Sequence, residues 1–210
     1  MDNRDELLKL LVDKNASIFS RIMAVKKLYP YIYEEFDLEN DIDAKNEYNR
    51  TALMKACEHW HTKIAEFLID AGADVNAKDH FGTSPLMFAC IYKEDTIVNL
   101  LIKAGADVNA QDNDGDTALM KAAYSFYDRV DIVKALISAG ADVNIKNKLG
   151  HTALTYASRM NALSVMLELV KAGADVNIKN NYENTALRKA INYGFTKIIE
   201  LLKQYGAKED

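Results

Sequence analysis

Proline and glycine are scarce in this chain, two and nine residues among 210. A many-stranded sandwich needs a turn residue every few positions, so their shortage, beside plentiful Ala, Leu, Ile and Lys, favours helices joined by short turns. Cysteine is as rare as proline, with two residues. Cys57 and Cys90 stand 33 residues apart, which reads as two small buried residues at matching places and not as a disulfide framework. Positive charge is also short: 26 Lys and Arg against 31 Asp and Glu leave a net charge of -5. Phosphate contacts need a clustered positive surface, so neither nucleic acid nor an acidic membrane surface is an expected partner. No apolar run is long enough to span a bilayer, and Met1 to Leu11 carries Asp2, Asp5 and Glu6 where a secretory leader has basic residues. A soluble, cytoplasmic protein is expected.

Chemistry-bearing motifs are missing as well. The sequence holds no phosphate-cradling Gly-rich loop, no nucleophile elbow and no Cys-x-x-Cys pair. Glu58-His59-Trp60-His61, with Cys57 beside it, is the sole local cluster of possible metal ligands. Its spacing is not the i, i+4 pair that a helix-borne zinc site needs. No catalytic residue, cofactor or metal is expected, and the chain reads as a binding protein rather than an enzyme.

What the sequence has in quantity is repetition. Ala-Gly-Ala-Asp-Val-Asn occurs at Ala71–Asn76, Ala104–Asn109, Ala139–Asn144 and Ala172–Asn177, at offsets of 33, 35 and 33. A worn copy ends the chain at Tyr205-Gly206-Ala207, and Asp41-Ile42-Asp43 precedes the first copy by 33. Between these strings stand Thr51-Ala52-Leu53, Ser84-Pro85-Leu86, Thr117-Ala118-Leu119, Thr152-Ala153-Leu154 and Thr185-Ala186-Leu187. A hydroxyl residue before an apolar run reads as a helix N-cap. Leu53 and Ala56, with their equivalents Leu86/Ala89, Leu119/Ala122, Leu154/Ala157 and Leu187/Ala190, then share one face of a short first helix. Ile64/Leu68, Ile97/Leu101, Ile132/Leu136, Val165/Leu169 and Ile198/Leu202 mark a second helix, which Gly72, Gly105, Gly140, Gly173 or Gly206 should terminate. Neither helix is long enough to stand alone, so stacking of neighbours must make the fold.

The 33-residue period, the Ser/Thr-Ala/Pro-Leu motif and the Gly-Ala-Asp-Val-Asn string resemble the ankyrin repeat over roughly residues 41 to 210. The resemblance implies an all-α ankyrin-repeat α-solenoid, stacked helix-turn-helix units with projecting β-turn tips, whose concave side is made by tips and first helices. Five repeats are expected at about 46–78, 79–111, 112–146, 147–179 and 180–210. Residues 1–40 lack the full motif, but Leu7, Leu8, Leu11, Ile18, Ile22 and Val25 show helical spacing and Pro30 is placed to open a short helix. They read as a degenerate capping repeat with one extra helix, the whole forming one continuous domain. The chain departs from the family pattern at Met54, Met87, Met120, Thr155 and Arg188, where the family carries histidine. A two-residue insertion falls within Tyr124-Ser125-Phe126-Tyr127-Asp128-Arg129. The column Asn76, Asn109, Asn144 and Asn177 reads as turn-bonding side chains, with hydroxylation, as in some ankyrin proteins of animal cells, the alternative.

The resemblance also implies a non-enzymatic scaffold that grips a protein or peptide of unknown identity, acting as a monomer. The alternatives are a self-assembling structural module, for which the apolar Ile198, Ile199, Leu201 and Leu202 would serve, and, more remotely, a metal-dependent enzyme. The family's recognition positions at the tips fall on Tyr48, Arg50, His80, Phe81, Asp114, Asp116, Leu149, His151 and Tyr182. Those at the ends of the first helices fall on His59, Trp60, Tyr92, Tyr124, Phe126, Met160 and Tyr193. Tyr48, Phe81, Leu149 and Tyr182 share one tip position and form an expected contact stripe. Asp112, Asp114 and Asp116 make the third tip acidic, and Lys146, Lys148 and His151 make the fourth basic, a pattern suited to steering a partner into register.

Overall fold

Each expected hydroxyl residue caps a helix. The backbone N–H of Met54 donates to Thr51 Oγ1 at 3.4 Å, Met87 to Ser84 Oγ at 3.4 Å, Met120 to Thr117 at 3.3 Å, Thr155 to Thr152 at 3.4 Å and Arg188 to Thr185 at 3.1 Å. These bonds satisfy amides that a helix start otherwise leaves without a partner. At the fourth cap Thr155 reaches back to the Thr152 N–H, closing a reciprocal box. The computed structural model describes residues 3–92, 95–124 and 129–209. Among the described residues there is no strand beyond the isolated bridges Lys45–Thr51 and Gln111–Thr117.

The chain forms two units, Met1–Ala106 and Asp107–Asp210. The first contains α1 (Asn3–Val12), α2 (Ile18–Leu28), α3 (Pro30–Glu35), α4 (Ala52–Glu58), α5 (Thr62–Asp70), α6 (Pro85–Tyr92) and α7 (Asp95–Lys103). Within it α4 pairs with α5 and α6 with α7, and the pairs stack α4 on α6 and α5 on α7. Pro30 opens α3, where its fixed φ suits the first helical position and its missing N–H is not needed. Buried Arg21 ties α2 to its neighbours: its Nε donates to the Leu11 carbonyl at 2.7 Å and its guanidinium lies 4.6 Å from the Phe67 ring centroid.

The second unit contains α8 (Ala118–Ala123), α9 (Val130–Ser138), α10 (Ala153–Arg159), α11 (Leu163–Lys171), α12 (Ala186–Tyr193) and α13 (Thr196–Gln204). The pairs α8/α9, α10/α11 and α12/α13 stack in chain order. Four residues of the segment that carries the insertion, 125–128, lie outside the described residues.

In both units the core is the set of paired columns the spacing predicts. Every Leu/Ala pair of the first helices and every Ile or Val/Leu pair of the second helices is buried. Cys57 and Cys90 are fully buried in α4 and α6. Gly72, Gly105, Gly140, Gly173 and Gly206 end the second helices at φ between 86 and 90°, a region closed to L side chains. The asparagine column joins one repeat to the next: Nδ2 of Asn76, Asn109, Asn144 and Asn177 donates to the carbonyls of Gly105, Gly140, Gly173 and Gly206 at 3.1–3.3 Å. In the second unit Oδ1 of Asn109, Asn144 and Asn177 also accepts from the N–H of Asp142, Asp175 and Lys208.

Candidate functional site

The five tips share one internal construction. Oδ1 of Asn46, Asp79, Asp112, Asn147 or Asn180 accepts the N–H two residues on and the N–H four residues on, all ten bonds between 2.8 and 3.0 Å. Such an Asx clamp fixes the turn and leaves the side chain two residues on pointing away from the core. Those side chains are Tyr48, Phe81, Asp114, Leu149 and Tyr182. The four apolar ones are 53, 62, 47 and 66% exposed, so they do not fold down over a neighbouring tip. Asp114 and His80 are exposed too.

Behind the first unit's tips, charge is matched. Arg50 Nη1 donates to Glu58 Oε2 at 3.3 Å, its Nε lies 3.5 Å from Asp79 Oδ2, and its guanidinium stands 4.8 Å from the Phe88 ring centroid. The Asp79 contact is an ion pair without hydrogen-bond alignment. Lys55 reaches both Glu35 and Glu58, and the Tyr92 hydroxyl donates to Glu58 Oε1 at 3.3 Å. Burial, and then the Glu58 carboxylate, push the Tyr92 hydroxyl above its ordinary pKa. Trp60 sits at φ 63° with its ring 62% exposed and its Nε1 donating to the Tyr92 carbonyl at 3.0 Å. Of the histidines once weighed as metal ligands, His61 hydrogen-bonds the Tyr31 hydroxyl and packs on the Tyr29 ring. His59 stacks on it at 6.1 Å. Burial, and then His59, hold His61 below its ordinary pKa. Among the described residues no group of three or more His, Cys, Asp or Glu could hold a metal ion.

In the second unit Asp116 is buried, unlike Asp114. Its carboxylate accepts from Asn147 Nδ2 at 2.7 Å, from Lys121 Nζ at 2.8 Å and from the Tyr156 hydroxyl at 3.2 Å. Lys121 also meets Asp112 at 2.7 Å. Burial works against the Lys121 charge, but the bonds to Asp112 and Asp116 outweigh it and raise the pKa. Much of the third tip's acidity is therefore answered inside the protein. His151 packs edge-on against the Tyr156 ring at 5.6 Å, and Tyr124 does the same from another side at 5.1 Å. Met160 is half-buried as the C-cap of α10, and Tyr193 stacks on Phe195. Phe126 lies outside the described residues. A cavity of about 210 Å³ opens among His151, Thr155, Tyr156, Arg159, Lys189 and Tyr193.

A family model described as "Ankyrin repeats (3 copies)" matches residues 1–112, 78–147 and 119–210, spanning the chain. The chain belongs to the ankyrin-repeat family. No curated protein matches it significantly. Ankyrin repeats are generally protein–protein interaction scaffolds and the family is generally non-enzymatic. Among the described residues no helix is long and apolar enough to cross a membrane.

Set on the ankyrin repeat, the sequence-predicted residues fall into three groups. Tyr48, His80 and Phe81 in the first unit, and Asp114, Leu149 and Tyr182 in the second, share exposed tip places. Arg50 and Tyr92 converge on Glu58, and Trp60 bonds the Tyr92 carbonyl. Asp116, Tyr124 and His151 gather on Tyr156. His59 points to the tyrosines of α3 and its flank, Tyr193 lines the cavity beside His151 and Tyr156, and Met160 stands apart from these clusters. Residue spacing did not reveal Tyr156 and Lys189. Their ankyrin position, nine residues past the tip Asx, holds Lys55 and Lys121 in other repeats, and that recurrence was the available signal.

Proposed function

We propose that this ankyrin protein is a non-enzymatic scaffold that holds a protein or peptide against its tips and first helices. The observation that carries the reading is the exposure of Tyr48, Phe81, Leu149 and Tyr182 on tips already clamped by their Asx residues. Large apolar side chains held rigid in water lose little conformational freedom when a partner covers them. Trp60 adds to it. A bulky residue at positive φ is strained by roughly 1 kcal/mol or more, and the equivalent places hold Asn161 and Gly194, residues that tolerate this backbone.

The test is affinity capture with the wild type, followed by titration of the purified partner against wild type and a Tyr48→Ala, Phe81→Ala, Trp60→Gly variant. Loss of two or three such anchors should weaken binding at least about a hundredfold, with the circular dichroism of the two proteins superimposable. An unchanged Kd would remove these residues from the interface.

A second reading, self-assembly, draws on one observation. A cavity of about 410 Å³ in the last helix pair is lined in part by Leu187, Ile191 and Ile199. Sedimentation over a wide concentration range separates the two: the scaffold reading requires a constant mass.

A further inference from the structure

We propose that His151, Arg159 and Lys189 form a receptor for a single anionic group, a carboxylate or a phosphoryl, presented by the partner peptide. The proposal deepens the scaffold reading by naming what this part of the partner carries.

Size limits the occupant first. About 210 Å³ is below the roughly 300–1,000 Å³ of sites that hold cofactors and drug-sized molecules, yet several times the volume of one water. One side-chain head group fits. Charge limits it next. The lining has two permanent cations, an imidazole, a threonine and two tyrosines, with no carboxylate among them.

The cations are unclaimed from within. Arg159 stacks on the Tyr124 ring, 5.5 Å from its centroid, and among the described residues neither it nor Lys189 forms an ion pair. Arg50, Lys55 and Lys121, at or near matching repeat positions, all have carboxylate partners. His151 adds an imidazole to the lining, with its Nε2 buried and without a hydrogen-bond partner. Its neighbours cannot supply one. Thr155 Oγ1 is committed to the helix cap, and the Tyr156 hydroxyl to Asp116. Asp116 is the one carboxylate near enough to favour protonation of His151, and it is already bonded by Lys121, Asn147 and Tyr156.

With no anion present, burial followed by the fields of Lys189 and Arg159 keeps the imidazole below its ordinary pKa. An anion between the three groups offsets the fields of Lys189 and Arg159, so binding raises the His151 pKa. This gives a readout that needs no partner protein.

The experiment is a nuclear magnetic resonance titration of the full chain, following the His151 ring and backbone amides with two probes in turn, inorganic phosphate and a hexaglutamate peptide. The expected result is saturable shifts at His151, Thr155, Arg159 and Lys189 and a rise in the His151 pKa, with the His80 ring unmoved. The tighter probe identifies which anion the pocket takes. In an Arg159→Gln, Lys189→Gln variant the probe affinity should fall about tenfold or more, and the His151 pKa should be higher before any anion is added. Arg159→Lys should recover part of the affinity. Both altered side chains are outside the core, so the amide spectrum should report an intact fold. Shifts that do not saturate with either probe, or that persist at full strength in the double variant, overturn the proposal. Because neither probe touches Tyr48, Phe81 or Trp60, failure here leaves the scaffold reading standing, and failure of the scaffold test leaves this pocket standing.

Discussion

In the Asn46 repeat of the first unit the places four, nine and twelve residues past the tip Asx hold Arg50, Lys55 and Glu58. In the Asn147 repeat of the second unit they hold His151, Tyr156 and Arg159. The scaffold beneath is the same: an Asx clamp, a threonine cap and a buried Leu/Ala pair. Arg50 is braced by Glu58 and Asp79. Arg159 instead faces an imidazole and, from the next repeat, Lys189. One set closes on itself and the other is left for something outside to close. The difference teaches that these positions lie beyond the stack's control, since helices form above them whichever charges they carry.

Removing the arginines should break the comparison most visibly. Arg50→Ala strands the buried Asp79 carboxylate, whose side chain is 1% exposed, and should cost about 2–3 kcal/mol in urea unfolding of the chain. Arg159→Ala relieves repulsion and should lie within about 0.5 kcal/mol of wild type. Equal losses at the two sites would mean that Arg159 has a partner the geometry does not show.

A smaller effect should follow from making the second set resemble the first. Arg159→Glu places a carboxylate beside His151 and Lys189. It should stabilise by up to about 1 kcal/mol, raise the His151 pKa and abolish phosphate uptake in the titration above.

The smallest difference should lie in acid sensitivity. His61 and His151 both have folded-state pKa values below the ordinary value, so the unfolded chain binds protons first. Their contribution to stability is complete well above pH 6.5 and is lost as the pH falls through that value. The melting temperature should fall between pH 7 and pH 5. His151→Gln should flatten only part of that slope, and the His61 share should remain.

The caps, the core columns and the glycine stops were legible because each depends on local spacing: Thr152 precedes its helix, Leu154 and Ala157 share a face, Gly173 ends a helix. The electrostatics were not. Asp116 reads as one of three tip acids, yet only the fold brings Asn147 and Tyr156, 31 and 40 residues away, onto its carboxylate. Arg50 reads as a free tip cation until Asp79 arrives from the next repeat. Arg159 and Lys189 are 30 residues apart, and no pattern along the chain says that both face His151. Tyr48, Phe81, Leu149 and Tyr182 stand exposed on their turns, because the Asx clamp that shapes each turn is a local device. Why the third tip carries Asp114 where the other four carry apolar side chains has no explanation in its surroundings.

The asparagine joints between repeats engage the neighbouring repeat through backbone groups, a glycine carbonyl and, at Asn109 and Asn144, an amide as well. A joint made to the backbone does not read its neighbour's identity. Within each half the asparagine joint itself therefore accepts whichever repeat follows, while side-chain pairs that cross the same seams, Arg50 with Asp79 and Asp116 with Asn147, tie particular repeats to their neighbours.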